Sequence, residues 1–182
     1  MTSSAPSRDL TFILGGARSG KSAHAERLAA ESGLPVTYVA TARIGDAEFG
    51  ERIAHHRVRR PAHWSLLEAP LDLAGALSSV ARDGHCVLID CLTLWLANLL
   101  CPADDTEAHP APHEAFNAFD ATVSDARGKI IIVSNEIGLG VVPLGSVTRR
   151  YVDELGRLNQ RVAAASTRAT LMVAGLPLAL KG

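Results

Sequence analysis

The chain has 182 residues, 47% of them hydrophobic, and a formal net charge of −1, which fits a single globular domain that buries a substantial core. The balance of 18 Lys and Arg against 19 Asp and Glu excludes a protein-wide basic field for nucleic acid and an acidic disordered chain. Aromatic residues make up 4%, too few for stacking on single-stranded nucleic acid, and no apolar run approaches the roughly 20 residues that span a bilayer.

The start of the chain is polar and shows no secretory signal, so residues 1–9 are predicted as a flexible N-terminal tail before a single domain over 10–182. The three cysteines, Cys86, Cys91 and Cys101, are odd in number and lack metal-like spacing. We therefore expect reduced thiols in a cytoplasmic protein.

Strands and helices are predicted to alternate along the chain. The first half is predicted as strand Leu10–Leu14, helix Ser22–Ser32, strand Val36–Ala40, helix Asp46–Arg59, strand Trp64–Leu67 and helix Leu71–Arg82. The second half is predicted as strand Cys86–Ile89, helix Thr93–Leu100, exposed loop Cys101–Pro112, helix Glu114–Arg127, strand Lys129–Val133, helix Ser146–Ser166 and a last strand Thr170–Ala174. This alternation is typical of an α/β fold with a mainly parallel sheet and helices on both faces.

The junction of the first strand and first helix carries the strongest motif, G-x-x-x-x-G-K-[ST]. It reads Gly15-Gly16-Ala17-Arg18-Ser19-Gly20-Lys21-Ser22 and is called the phosphate loop below. Glycines let successive N–H groups point at phosphate oxygens, and the helix start adds the positive end of its dipole. Lys21 supplies a cation to the β- and γ-phosphates, and Ser22 a ligand for Mg²⁺. The alternative is an ordinary strand–turn–helix corner.

A phosphate loop also needs a carboxylate that helps to hold the metal ion, and this carboxylate lies at the end of another buried strand. Asp90 follows the predicted strand Cys86–Ile89 and is the natural candidate. The alternative is a helix N-cap, since a helical segment follows. Both roles are possible at the carboxyl end of a strand, where open α/β sheets bind ligands.

The absence of one motif argues against a regulatory GTPase. A regulatory GTPase usually carries Asn-Lys-x-Asp, but Asn135 at the end of the Ile-rich strand is followed by Glu136. The sequence favours a small-molecule kinase or another phosphoryl or nucleotidyl transferase. An ATPase motor is disfavoured because 182 residues leave little room for further modules.

A histidine pair lies in the basic helix predicted over Asp46–Arg59. Helical spacing places Phe49, Ile53 and His56 on one stripe and His55 on the other side. A neutral imidazole beside arginines can attack phosphorus and form a covalent intermediate. A partly buried structural histidine explains the same pattern, whereas a metal role is disfavoured because adjacent histidines do not share a helix face.

Several segments together resemble the bifunctional adenosylcobinamide kinase/adenosylcobinamide-phosphate guanylyltransferase family. The resemblance covers nearly the whole chain in order, and the His-His segment with Ser-Asn-Glu-x-Gly-x-Gly is its most specific part. The matching segments are the phosphate loop, Tyr38–Ala42, His55–Arg57, Arg60–Trp64 with Glu68, Asp90–Trp95 with Asn98–Leu100, Ser134–Pro143, Gly156–Gln160 and Gly175–Leu178.

The resemblance implies two reactions: phosphorylation of adenosylcobinamide by ATP or GTP, then transfer of GMP from GTP through an enzyme histidine, giving adenosylcobinamide-GDP. It implies His56 as the guanylylated residue, a P-loop NTPase (RecA-like) core, Mg²⁺ and homotrimers. The nucleotide contacts that it implies are the phosphate loop, Ala40, Thr41, Ala42, Arg57, Val58, Arg59, Arg60, Glu68 and Asp90. Asp90 stands where some relatives have Glu. Asn135 and Glu136 are expected to line the corrinoid or nucleotide pocket.

Two other functions fit the residues themselves. A P-loop small-molecule kinase without guanylyl transfer would use the phosphate loop alone. A non-catalytic nucleotide-binding regulator would bind nucleotide without turning over a corrinoid.

Overall fold

A computed structural model of the protein describes residues 9–43, 61–101 and 110–182. The helix predicted over Asp46–Arg59, most of the predicted loop Cys101–Pro112 and residues 1–8 of the predicted tail lie outside the described residues. The division into a tail and one domain stays a prediction.

The described chain forms seven strands and five helices, in an order that follows the predicted alternation. The strands are β1 Asp9–Gly15, β2 Val36–Ala40, β3 Ser65–Glu68, β4 Cys86–Asp90, β5 Lys129–Asn135, β6 Arg168–Val173 and β7 Leu176–Lys181. The helices are α1 Lys21–Glu31, α2 Leu73–Val80, α3 Leu92–Leu100, α4 Pro112–Asp125 and α5 Ser146–Ala165. None of these helices is both long and apolar enough to cross a membrane.

All seven strands join one sheet in the order β3-β2-β4-β5-β1-β6-β7. Neighbouring strands are parallel except for β7, which runs antiparallel to β6. A parallel sheet covered on both faces favours continuous apolar strands, and Ile130, Ile131 and Ile132 are indeed all fully buried. The mainly parallel α/β fold is confirmed.

Side-chain alternation divides the core into two layers. One layer contains Ile13, Leu88 and Val133 and packs against Ala25 and Ala29 of α1, so this side of the sheet is called the α1 face. The opposite layer contains strand residues such as Phe12, Ile89 and Ile132, together with apolar residues of α2, α3, α4 and α5. Helices on both faces are therefore confirmed, and the face of a strand residue follows from its place in this alternation.

The prediction that Thr170–Ala174 is the last strand is wrong. The strand there is Arg168–Val173, and a tight turn at Ala174 and Gly175, both with positive φ, leads into β7. All six residues of β7 are exposed, and although Leu176, Leu178 and Leu180 alternate along the chain, Pro177 within the run argues against a strand. Pro177 is tolerated because β7 lies at the edge of the sheet.

Candidate nucleotide-binding site

The predicted phosphate loop connects β1 to α1, the two elements required by its motif. β1 ends at Gly15 and α1 begins at Lys21. Arg18 has φ 56° and Gly20 has φ 92°, and the Ser19 N–H donates to the Gly16 carbonyl over 3.3 Å. The positive φ at Gly20, together with its close approach to Gly175, favours a residue without a side chain, which explains the second glycine of the motif.

The Lys21 side chain folds back along this loop. Its Nζ donates to the Gly16 carbonyl oxygen over 3.1 Å, and the residue is only 9% exposed. The ammonium group is thus held over the loop whose N–H groups would receive phosphate oxygens. This placement exceeds what an ordinary strand–turn–helix corner requires, and the role of Lys21 toward the phosphates stays a prediction.

The turn between β6 and β7 braces the phosphate loop, which the sequence did not predict. The Gly175 N–H donates to the Ser19 carbonyl over 2.9 Å. A Cβ added at Gly15 would lie 2.8 Å from the Met172 carbonyl oxygen, and one added at Gly20 would lie 3.2 Å from Gly175 Cα. The only sequence signal for this contact was the Gly175–Leu178 segment of the resemblance, which carried no role.

Asp90 ends β4 on the α1 face, the face from which the phosphate loop leads into its helix. Its Oδ2 accepts a hydrogen bond of 2.9 Å from the Tyr38 hydroxyl of the neighbouring strand. The N-cap position of α3 is Cys91, so Asp90 does not cap that helix. It lies at a carboxyl strand end, where open α/β sheets bind ligands, and its metal or nucleotide role stays a prediction.

The predicted contact segment Ala40–Ala42 is tied to the end of β4. The Thr41 hydroxyl, fully buried, accepts from the Cys91 N–H over 2.9 Å and donates to the Cys91 carbonyl over 2.7 Å. The Asn98 side chain donates to the Thr41 carbonyl over 2.7 Å and to the Pro70 carbonyl over 2.9 Å. The ends of β2, β3 and β4 are therefore joined into one rigid platform.

Glu68, another predicted nucleotide contact, is the exposed last residue of β3. The sheet register aligns Glu68 with Ala40, and Ala40 with Asp90. The Ala69 N–H donates to the Ala40 carbonyl over 2.8 Å. Three of the predicted contacts thus come together at the ends of adjacent strands.

The end of β5 is held next to the phosphate loop by side chains for which the sequence predicted no role, although Thr93 and Asn159 lie in segments of the resemblance. Asn135 is in register with Gly15 and donates its N–H to the Thr93 hydroxyl over 2.8 Å. Its carbonyl oxygen accepts from the Asn159 amide over 3.0 Å. Burial raises the pKa of the Tyr151 hydroxyl well above its ordinary value, so this group stays protonated and donates to the Thr93 carbonyl.

Glu136 connects the same strand end to the loop. Its N–H donates to the Gly15 carbonyl over 3.1 Å, and its Oε1 accepts from the Gly138 N–H over 2.7 Å. One carboxylate oxygen is therefore used within the turn that follows β5.

The remaining predicted site residues lie outside the described residues: His56, Arg57, Val58, Arg59 and Arg60. Their roles stay predictions. Within residues 9–43, 61–101 and 110–182, no group of three or more His, Cys, Asp or Glu side chains is arranged to hold a metal ion.

The comparison with protein families decides between the transferases that the phosphate loop allows. Residues 11–180 match the family model described as cobinamide kinase / cobinamide phosphate guanyltransferase. The chain belongs to this family. As a cobinamide kinase/guanylyltransferase family member it is a transferase, and the resemblance seen in the sequence is confirmed.

Curated relatives agree with the family along nearly their whole length. The chain is 59% identical to the bifunctional adenosylcobalamin biosynthesis protein CobP of Pseudomonas aeruginosa, covering 96% of this chain and 98% of that protein. It is 36% identical to the bifunctional adenosylcobalamin biosynthesis protein CobU of Escherichia coli, covering 94% of this chain and 99% of that one.

Solved structures with little sequence similarity share the fold. The type III secretion ATPase EscN of enteropathogenic E. coli superposes with a TM-score of 0.56 at 11% identity, covering 92% of this chain and 43% of that one. The flagellar accessory protein FlaH of Methanocaldococcus jannaschii superposes with a TM-score of 0.51 at 16% identity, covering 95% and 78%. These likenesses concern the fold alone, and the predicted mainly parallel sheet with helices on both faces is shared with these proteins.

Proposed function

We propose that this family member first phosphorylates the aminopropanol hydroxyl of adenosylcobinamide with ATP or GTP. It then transfers GMP from GTP, through a guanylyl-histidine, to adenosylcobinamide phosphate and gives adenosylcobinamide-GDP. The observation that carries the proposal is the phosphate loop with Lys21 held over it, in a chain whose residues 11–180 match the cobinamide kinase and guanyltransferase family.

In the phosphoryl step the nucleotide phosphates bind to the N–H groups of the phosphate loop and to the Lys21 ammonium. Mg²⁺ is expected to accompany the nucleotide and to neutralise phosphate charge. The residues present fit this ion, since Ser22 supplies a hydroxyl in the first turn of α1 and Asp90 a carboxylate on the same face of the sheet. An ion that keeps waters and phosphate oxygens as ligands needs few protein groups.

In the guanylyl step the neutral His56 imidazole attacks the α-phosphorus of GTP, and pyrophosphate leaves. The adenosylcobinamide phosphate oxygen then displaces the histidine and takes the GMP. Arg57, Val58, Arg59 and Arg60 belong to the same proposal as the nucleotide contacts implied by the resemblance. Ala40, Thr41, Ala42 and Glu68 complete that set on the platform of strand ends described above.

The test is incubation with GTP labelled in the α-phosphate, followed by measurement of acid-labile, base-stable label on the protein. The wild type should be labelled, and His56→Ala should not. His55→Ala is the matched control and should be labelled as the wild type is. Label that persists in His56→Ala would remove His56 from the mechanism. Adenosylcobinamide phosphorylation without any protein label would reduce the function to a kinase.

We further propose that the protein works in the cytoplasm as a homo-oligomer, the resemblance implying a trimer. Support comes from the segment after β5, where Leu139, Val141 and Leu144 are 84%, 95% and 97% exposed. Such an exposed apolar group favours burial against another protein surface. Light scattering coupled to size-exclusion chromatography should give three times the 19.2 kDa chain mass, and a monomer would contradict the proposal.

A further inference from the structure

Among the buried side-chain oxygens that have no hydrogen-bond partner in the described residues, one lies at the strand end next to the phosphate loop. It is Oδ1 of Asn135, the last residue of β5. The backbone of the same residue is fully engaged, its N–H with Thr93 and its carbonyl with Asn159. Because an unpaired buried acceptor costs free energy, a carboxamide held here points to a ligand that supplies the missing donor.

The strand order places this carboxamide at the centre of the site. β5 lies between β4, which ends at Asp90, and β1, which ends at Gly15 and enters the phosphate loop. Ile131 and Val133 belong to the α1 face, so alternation puts Asn135 on that face as well. The Asn135 side chain is therefore on the same side of the sheet as Asp90 and the helix that begins at Lys21.

The chemistry of the phosphoryl step leaves one group to be positioned. The loop N–H groups and Lys21 are donors for phosphate oxygens, and Asp90 and Ser22 suit a metal ion. The attacking group is an alcohol, which must present its O–H to an acceptor while its oxygen lone pair faces the γ-phosphorus. Several buried oxygens in the described chain lack a partner, among them Ser19 Oγ in the phosphate loop, Asn135 Oδ1 and Asn159 Oδ1. Ser19 carries a hydroxyl, which can also donate, and Asn159 belongs to α5 on the opposite face, so Asn135 Oδ1 is the carboxamide acceptor on the α1 face.

We propose that Asn135 is a catalytic residue whose Oδ1 accepts the hydrogen bond of the attacking alcohol during phosphoryl transfer. The inference rests on the proposed function. The alcohol oxygen forms a bond to the γ-phosphorus, the bond from that phosphorus to the bridging oxygen breaks, and the nucleoside diphosphate leaves. The alcohol proton passes to an oxygen of the transferred phosphoryl group and then to solvent. A carboxamide does not take up this proton at neutral pH, so Asn135 orients the alcohol without acting as its base.

The guanylyl step gives an internal comparison for this role. Its nucleophile is an imidazole nitrogen, which carries no hydroxyl to be oriented. Loss of the Asn135 carboxamide should therefore slow the phosphorylation of adenosylcobinamide far more than the labelling of the protein by GTP. A purely structural role would slow both reactions together.

The experiment compares Asn135→Ala and the near-isosteric Asn135→Leu with Ser134→Ala. Ser134 is the preceding residue and also has a buried hydroxyl oxygen without a partner, but it lies on the opposite face of the sheet. We expect both Asn135 variants to lower kcat for adenosylcobinamide phosphorylation about 100-fold or more, the loss seen when one hydrogen bond to the reacting atoms is removed. The KM for the nucleotide and the α-phosphate labelling should change by less than about threefold, and Ser134→Ala should match the wild type.

Each other outcome has a distinct meaning. A kcat within threefold of the wild type in a folded Asn135 variant would overturn the inference alone, and equal losses of phosphorylation and labelling would assign Asn135 a structural role instead. Asn135→Leu keeps the volume filled, so it decides the matter if Asn135→Ala does not fold. A wild-type protein that does not phosphorylate adenosylcobinamide would overturn the proposed function, and this inference with it.

Discussion

Replacing Thr41 by Val tests whether the platform of strand ends depends on one hydroxyl. Val keeps the shape of Thr but removes both hydrogen bonds to Cys91. The Cys91 carbonyl keeps a second donor, the Trp95 N–H at 3.2 Å, whereas no other partner reaches the Cys91 N–H in the described part of the chain. An orphaned buried donor costs about 1–3 kcal/mol and the other lost bond about 0.5–1.5 kcal/mol. Thr41→Val should therefore lower the free energy of unfolding by about 1.5–4.5 kcal/mol.

The assay is urea unfolding followed by circular dichroism at one protein concentration, because association would change the apparent stability. Thr41→Ser is the matched control, since it keeps the hydroxyl and loses only a methyl group, which costs about 1 kcal/mol. If Thr41→Val proves no less stable than Thr41→Ser, the two hydrogen bonds do not hold the platform and the reasoning is refuted.

Three further predictions concern the loop and the core. Lys21→Ala should lower kcat for phosphoryl transfer by a larger factor than it raises the nucleotide Kd, because the lost cation stabilises the transition state more than the bound ground state. Unchanged turnover in this variant would contradict the prediction. Gly15→Ala should lower the free energy of unfolding by about 1–3 kcal/mol, because the added Cβ meets the Met172 carbonyl oxygen. Gly16→Ala is the control and should be nearly neutral in urea unfolding, because a Cβ at Gly16 meets nothing within 4 Å. Burial raises the pKa of the Cys86 thiol from 9.0 to about 11, so its contribution to stability is complete below about pH 9 and is lost as the pH rises toward 11. Unfolding measurements across that range should show a shallower decline in Cys86→Ala, and an identical slope would exclude the thiol as a cause.

Features that depend on neighbouring residues along the chain were predicted well. The run Ile130–Ile132 is β-branched and apolar because both faces of its strand are covered, and that requirement is visible locally. The phosphate loop is likewise a local motif, so its glycines, its lysine and its place between a strand and a helix could be read directly from the sequence.

Contacts between distant segments could not be predicted in the same way. Thr41 meets Cys91 across 50 residues, and Asn135 lies beside Gly15 only because β5 is inserted between β4 and β1. Strand order is a property of the whole sheet, and no residue pattern within one strand encodes its neighbours. β7 was missed for another reason: its leucines alternate, but Pro177 argues against a strand unless the strand is known to lie at the edge of the sheet.

The hydrogen bond from Gly175 to Ser19 has a practical consequence, because it ties one backbone amide of the β6–β7 turn to the nucleotide-binding loop. Exchange of this amide with deuterium requires that the bond open, so its protection factor reports how often the loop separates from the turn. In nuclear magnetic resonance spectra the Gly175 amide would thus serve as a single-site sensor of loop closure. Titration with nucleotide would then reveal loop ordering without substrate turnover or an engineered fluorophore.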